Sequence, residues 1–170
     1  HRVKDRILDI SLLRSVSYPG PVKGFTDIGE HEFTYSLFPH KGSYGDGGVV
    51  QAAHELNSPP GIYQIKKTAN NCSRSFFSTG NSSLIISTIK KAENSNDIII
   101  RLYESEGKRI SAYLEAEMFK PQFPSAISSV KATLVNLLEE FQKPLEIMNS
   151  RIALKAKPYE IISIRLSSNN

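Results

Sequence analysis

Apolar and polar residues alternate along several short stretches of this 170-residue chain. The cleanest run is Ile110 to Met118, with Ile110, Ala112, Leu114, Ala116 and Met118 on one side and Ser111, Tyr113, Glu115 and Glu117 on the other. A period of two is that of a strand with one buried face. The same reading predicts strands over Arg6 to Arg14, Glu30 to Phe38, Leu84 to Ile89, Ile98 to Tyr103, Arg151 to Ala156 and Tyr159 to Leu166. Glu106-Gly107 with Lys108 predicts a hairpin turn, and Lys157-Pro158 separates the last two strands.

Two stretches carry a different period. Val49, Val50, Ala53 and Leu56 recur at helical spacing, which predicts a short helix near 48–57 with Asp46 as its N-cap and Asn57, before Pro59, as its stop. Ile127, Val130, Leu134, Leu137, Leu138 and Phe141 also fall at steps of three and four, the signature of a helix over about 128–141. Against a helix there stand the β-branched Thr133 and Val135 and the poor helix former Asn136. Two prolines and two glycines break regularity between Tyr18 and Gly24. Thr68 to Ser83, rich in Asn, Ser, Thr and Gly, reads as a loop or the join between two sheets. Regular strand spacing with one short helix predicts an all-β sandwich.

Composition narrows the class. Hydrophobic residues make up 39% and charged residues 22%, as in a globular domain and unlike a disordered tail. No apolar run approaches the roughly 20 residues of a membrane helix. The net charge of +4 comes from 21 basic residues spread among 17 acidic ones, without the basic stripe and interleaved aromatics that track nucleic acid. The lone Cys72 allows no internal disulfide and favours a reducing compartment. Two glycosylation triplets, Asn71-Cys72-Ser73 and Asn81-Ser82-Ser83, lie in the Asn- and Ser-rich stretch where such triplets arise by chance. The opening His1-Arg2-Val3-Lys4 has neither an initiating Met nor a signal-peptide pattern, which leads to the expectation of a larger precursor upstream.

Catalytic chemistry finds little to work with. His31 and His40 stand at the two ends of one expected strand, roughly 30 Å apart if extended, and do not chelate one ion together. His54 is expected on the exposed side of the short helix beside Glu55. Glu30 and Glu32 share a strand face, but a glycosidase needs two carboxylates about 5 to 10 Å apart across a pocket, and these have the spacing of exposed neighbours. Asp5 with Asp9, and Glu115 with Glu117, are similar pairs. Gly42, Gly45, Gly47 and Gly48 lack the lysine of a phosphate loop. The reading therefore names no catalytic residue and no metal ligand. Three residues remain as binding candidates: Arg14, where a guanidinium ends an apolar strand, and Tyr35 and His40, which flank a strand and its turn.

Several motifs stand in a recognisable order. Leu12-Leu13-Arg14-Ser15 and Tyr18-Pro19 come first, followed by Gly29-Glu30-His31-Glu32-Phe33-Thr34-Tyr35-Ser36-Leu37-Phe38-Pro39-His40. Next come Gly48-Val49-Val50-Gln51-Ala52-Ala53 and Glu55-Leu56-Asn57-Ser58-Pro59, then Arg101-Leu102-Tyr103-Glu104 with Gly107. Asn136-Leu137-Leu138-Glu139 and Pro158-Tyr159-Glu160-Ile161 complete the series. Together they resemble the C-terminal part of the zinc-dependent α-mannosidases of glycoside hydrolase family 38, most closely the branch that includes the cytosolic enzymes. The resemblance runs from about Val3 to Leu166.

The resemblance implies residues 1–67 as the end of a larger β-sandwich and 68–170 as a smaller C-terminal one. It also implies a strand through Lys131 to Leu138, against the helical period. The parent enzyme it implies hydrolyses terminal α-mannosides with retention, using a zinc ion and carboxylates in an N-terminal catalytic domain. That domain is then the partner of this fragment, and mannosyl oligosaccharides are met through it. The fragment itself is expected to be inactive, to bind no zinc, and to reside with its parent in the cytoplasm. Arg14, Tyr35 and His40 become candidates for the rim of the sugar pocket. The rival reading is a free-standing carbohydrate- or protein-binding sandwich, although the chain has no Trp for a sugar platform.

Overall fold

A computed structural model describes residues 2–5, 7–13, 29–64, 73–117 and 130–168. Packing divides the chain into His1–Pro39 and His40–Asn170. Within the first unit, β1 (Arg2–Lys4) and β2 (Ile7–Asp9) form a two-stranded antiparallel hairpin. The strand expected over 6–14 is therefore confined to its first third. Residues 30–40, for all their alternation, have no strand pairing among the described residues. Tyr35 and Leu37 are 68% and 76% exposed. The expected strand at Glu30 to Phe38 is not formed, because alternation supplies a face but not the ladder partner that a strand needs.

The second unit begins with α1 (Val49–Asn57), the helix expected near 48–57. Its N-cap is Gly48 at φ 69°, not Asp46. The Asp46 carboxylate instead accepts from the Ser43 hydroxyl at 2.6 Å and the Ser43 backbone N–H at 3.3 Å, closing the preceding turn. Local bonding of this kind competes with capping.

Among the described residues nine strands follow: β3 (Phe77–Thr79), β4 (Leu84–Lys91), β5 (Ile98–Glu104), β6 (Ile110–Ala116), β7 (Val130–Val135), β8 (Phe141–Leu145), β9 (Ile147–Met148), β10 (Arg151–Ala156) and β11 (Ile161–Ser168). They build two antiparallel sheets, ordered β3-β6-β10-β9 and β4-β5-β11-β7-β8. Leu114, Ile152 and Leu154 from the first sheet and Ile100, Leu102, Ile164 and Leu166 from the second share one buried cluster. This is the face-to-face packing of a β-sandwich. The alternation at 110–116 holds, with Leu114 and Ala116 buried and Ser111 exposed.

Within the described residues 130–141 the contest goes to a strand, which ends at Val135 and not at Leu138 as expected. β7 pairs with β11 from Val130↔Ser168 to Val135↔Ser163, and a turn then leads into β8. The backbone hydrogen bonds of two neighbouring strands outweigh a stripe that only side-chain spacing supports. The Asn- and Ser-rich stretch is not all loop, since β3 lies within it. The triplet at Asn81 is part of a turn: the Asn81 side-chain oxygen accepts from the Ser83 N–H at 2.9 Å and the Ser83 hydroxyl at 2.6 Å.

Candidate functional site

Three of the chain's crossings from one sheet to the other matter here: the one between β3 and β4, the one between β5 and β6, and the one between β10 and β11. β5 pairs with β11 and β6 with β10, so the last two crossings lie side by side at one end of the sandwich. One side chain ties them together. Glu104 continues the inward series of Ile98, Ile100 and Leu102, and so places a carboxylate where the alternation calls for an apolar residue. It is fully buried.

Four backbone donors meet the Glu104 carboxylate. Its Oε1 accepts from the N–H of Glu106 at 2.9 Å. Its Oε2 accepts from Gly107 at 2.7 Å, Lys108 at 3.1 Å and Tyr159 at 3.0 Å. Three donors come from the β5–β6 crossing and the fourth from the β10–β11 crossing. Burial pushes the carboxyl pKa up, but the hydrogen bonds from Tyr159, Glu106, Gly107 and Lys108 outweigh it, and the net shift is downward. Gly107 stands at φ 73°, and a Cβ there would come within 2.7 Å of the Tyr159 hydroxyl. Tyr159 is itself left-handed at φ 57°, unusual for a bulky residue and held by the bond to Glu104.

The β3–β4 crossing joins the same end. The Ser105 N–H and hydroxyl both donate to the Ser83 carbonyl, at 2.9 and 3.0 Å. From the segment before α1, the Tyr44 hydroxyl donates to the Ser105 carbonyl at 3.1 Å. Burial raises the Tyr44 pKa first, and the Tyr159 hydroxyl and the carboxylates of Glu106 and Glu104 add to that. Gly45 lies against Glu106, whose carboxylate carbon would be 2.7 Å from any Cβ placed there. Glu106 pairs with Lys108 at 2.6 Å and so raises the lysine pKa. A groove of about 370 Å³ runs between α1 and this end, with Gln51 and His54 on one side and Phe77, Ser78 and Glu106 on the other. His54 is thus half-buried on the groove wall, not on an exposed face.

A second polar constellation forms the turn between β7 and β8. The Asn136 side-chain oxygen accepts from the N–H groups of Leu138 and Glu140, both at 2.9 Å. Glu139, left-handed at φ 66°, turns a buried carboxylate back over the five-stranded sheet. There it meets Lys90 at 2.8 Å and the Glu93 N–H at 2.9 Å. Arg165 donates to the Glu139 carbonyl at 2.8 Å, and Arg101 to the Leu137 carbonyl at 2.9 Å. Lys90 first, and then the Glu93 N–H, lower the Glu139 pKa.

These constellations hold turns; they do not offer reacting groups. All four contacts to Glu104 are to backbone N–H groups, which leave that buried carboxylate engaged and unsuited to proton transfer. Among the described residues no three His, Cys, Asp or Glu side chains converge as a zinc site requires. Of the three binding candidates, Arg14 lies outside the described residues. Tyr35 is exposed in the first unit, and its neighbour but one, Phe33, is stacked on His31 at 6.1 Å. His40 begins the second unit, its imidazole against Gly47, where a Cβ would be 2.4 Å from Nδ1. Glu104 and Glu139 were visible as motif residues without an assigned role. The signal for Glu104 is a carboxylate at an inward strand position just before a Glu-Gly turn.

Comparison with known proteins bears on these motifs directly. The family described as the glycosyl hydrolases family 38 C-terminal beta sandwich domain matches residues 83–164, the segment that contains Glu104 with its four donors and Glu139 with Lys90 and Glu93. Alpha-mannosidase 2C1 of Homo sapiens is 34% identical over 169 residues, which cover 96% of this chain and 15% of that protein. Alpha-mannosidase G of Dictyostelium discoideum is 30% identical over 95% of this chain and 14% of its own length. An alpha-mannosidase of Saccharomyces cerevisiae is 26% identical over 94% of this chain and 16% of its own. The chain spans about one-seventh of the length of these relatives.

Proposed function

Residues 83–164 are a family 38 C-terminal beta sandwich domain, and from that premise we propose that the chain is the non-catalytic β-region of a longer α-mannosidase. The observation that carries the reading is the end of the sandwich where Glu104 ties two crossings together and a third joins them. Polar groups there are used to make a rigid support, and the motifs that mark the family are the ones that build it.

In this reading the parent hydrolyses terminal α-mannosides with retention, in the catabolism of glycans or free oligosaccharides. Its zinc ion and its carboxylates belong, as the resemblance implies, to the catalytic domain outside these 170 residues. The support comes in two parts: residues 1–67 complete a larger sandwich, and 68–170 form the smaller one. Arg14, Tyr35 and His40 are the candidates for the pocket rim, so that Tyr35→Phe or His40→Ala raises KM for an oligosaccharide more than it lowers kcat. In this reading the protein resides in the cytoplasm, which the resemblance to the cytosolic branch and the lone Cys72 support. No helix among the described residues is long and apolar enough to cross a membrane.

The test is the intact mass of the natural protein, paired with a p-nitrophenyl α-mannoside assay with and without a zinc chelator. A product several times longer than this chain, with chelator-sensitive activity, is expected. A mature product of this length without activity replaces the reading with a free-standing binding module.

A further inference from the structure

The chain entering β6 carries a charge pattern beside its alternation. In Lys108-Arg109-Ile110-Ser111, two cations stand three and two residues before a serine. Kinases with acidic substrate grooves read such a segment, because complementary charge selects it before the hydroxyl is positioned. The tetrapeptide alone means little where its serine is buried or already bonded.

Here the serine is neither. Ser111 is exposed on the outer face of the four-stranded sheet, and its hydroxyl has no hydrogen-bond partner among the described residues. Along one side β6 pairs with β10, with Lys155 opposite Ser111; along the other, β3 reaches only from Leu114 to Ala116. At Ser111 that second side of β6 has no strand against it among the described residues. The backbone there is already extended, the form in which many peptides are bound.

The surroundings of Ser111 match what phosphorylation would add. Ser111 lines a cleft of about 450 Å³ with Arg109, Lys155, Lys157 and Glu160. The side chains of Arg109, Lys155 and Lys157 form no ion pair among the described residues. Glu160 is the one carboxylate of this lining, and its Oε2 accepts from the Lys157 N–H at 2.7 Å. Residues directly opposite in an antiparallel pair have Cβ atoms about 4.5–5.5 Å apart, which leaves Lys155 within reach of a group carried on Ser111. A phosphoserine brings a charge of about −1.5 to −2 and three strong acceptor oxygens. Cations now bound to water alone would share those oxygens.

We propose that Ser111 is a phosphorylation site for a serine kinase that selects basic residues, and that Lys155, with Arg109 and Lys157, receives the phosphate. In the transfer the Ser111 Oγ bonds to the γ-phosphorus of ATP as the bond to ADP breaks, and the hydroxyl proton passes to the kinase's base. The phosphate then clamps β6 to β10 beside the two crossings that Glu104 ties. The inference uses only residues of this chain and holds whether or not the parent is an α-mannosidase.

The experiment treats the folded full-length protein with ATP and the catalytic subunit of cyclic-AMP-dependent protein kinase, which has this selectivity. Mass spectrometry of the digest should find the phosphate on Ser111, and Ser111→Ala should lose it. Phosphate only at other residues, phosphate at Ser111 only after the protein has been unfolded, or none at all would each overturn the site. The receiving cations are tested by phosphate removal with alkaline phosphatase. Phosphorylated Lys155→Met should be dephosphorylated about threefold faster than the phosphorylated wild type, or more, since a phosphate held by cations is harder to extract. Equal rates would overturn the clamp. Ser111 and Lys155 are both exposed, so neither variant displaces the core.

Discussion

The segment 30–40 and the strand β6 carry the same alternation of apolar and polar residues, yet only one of them is a strand. In β6 the inward residues are flanked on both sides, by β3 and by β10, and Leu114 is fully buried. In 30–40, Phe33, Tyr35 and Leu37 follow the same period and stay exposed, with no ladder partner among the described residues. The difference is one of neighbours. Alternation says which side of a strand prefers to be buried; hydrogen bonding to adjacent strands decides whether there is a strand at all.

The sharpest way to break this comparison is to truncate one residue in each segment. Leu114→Ala should cost about 3–4 kcal/mol, since it opens a cavity between the sheets. Leu37→Ala should stay within about 0.5 kcal/mol, the range of surface changes. Thermal unfolding of this chain measures both. Repeated in a full-length α-mannosidase, a large loss at Leu37 would mean that segment 30–40 gains its partner from sequence outside this chain.

Next in size is the tie between the crossings. Glu104→Gln removes a buried carboxylate from four N–H donors and should lower the Tm by roughly 5–10 °C near neutral pH. The folded-state pKa of Glu104 lies below the ordinary carboxylate value, so its contribution is complete above that value and is lost as pH falls through the lowered one. The gap between wild type and Glu104→Gln should therefore narrow on acidification. A gap that widens at low pH would show that the carboxyl is held protonated instead.

Glu139→Gln should act in the same direction with a smaller amplitude, roughly 2–5 °C, because Glu139 anchors a single turn. Its pKa is lowered by Lys90, so the loss again fades as pH falls. Lys90, whose pKa is raised first by Glu139 and then by Glu93, contributes below its ordinary value and ceases to do so as pH rises through the raised one. Lys90→Met should accordingly approach the wild type in strong alkali, where Lys90 is neutral, and again in acid, where Glu139 is protonated. The smallest effect is expected at Gly45→Ala, where the added Cβ displaces the end of a flexible Glu106 side chain and loosens its pair with Lys108. Under about 2 °C is expected by the same calorimetry.

Much of the sandwich was legible because its strands state their own burial. Ile98, Ile100 and Leu102, and again Ile152 and Leu154, mark the inner face by position alone. The short helix was legible too, but its cap was not, since Asp46 had two possible uses and Ser43 was the nearer one. β8 and β9 were missed because Gln142, Lys143, Pro144 and Glu146 blur the alternation. The site was legible as motifs and illegible as chemistry. Arg101-Leu102-Tyr103-Glu104 and Pro158-Tyr159-Glu160-Ile161 are 55 residues apart from Glu104 to Tyr159, and nothing local says that one supplies the acceptor and the other a donor.

What the amino-acid sequence determined by itself is the class: period-two faces, one short helix, and an ordered series of motifs, of which those within residues 83–164 match the family 38 C-terminal beta sandwich domain. Such properties are local or additive, and a linear string carries them. The strand at 130–135 was already implied by the resemblance against its helical stripe, but only the tertiary structure decided that it ends at Val135, and that 30–40 is not a strand despite its alternation. It also decided that Glu104 closes two crossings at once. Each of these depends on hydrogen-bond partners distant in the chain, and the free energy of a backbone or carboxylate group depends on whether such partners are met.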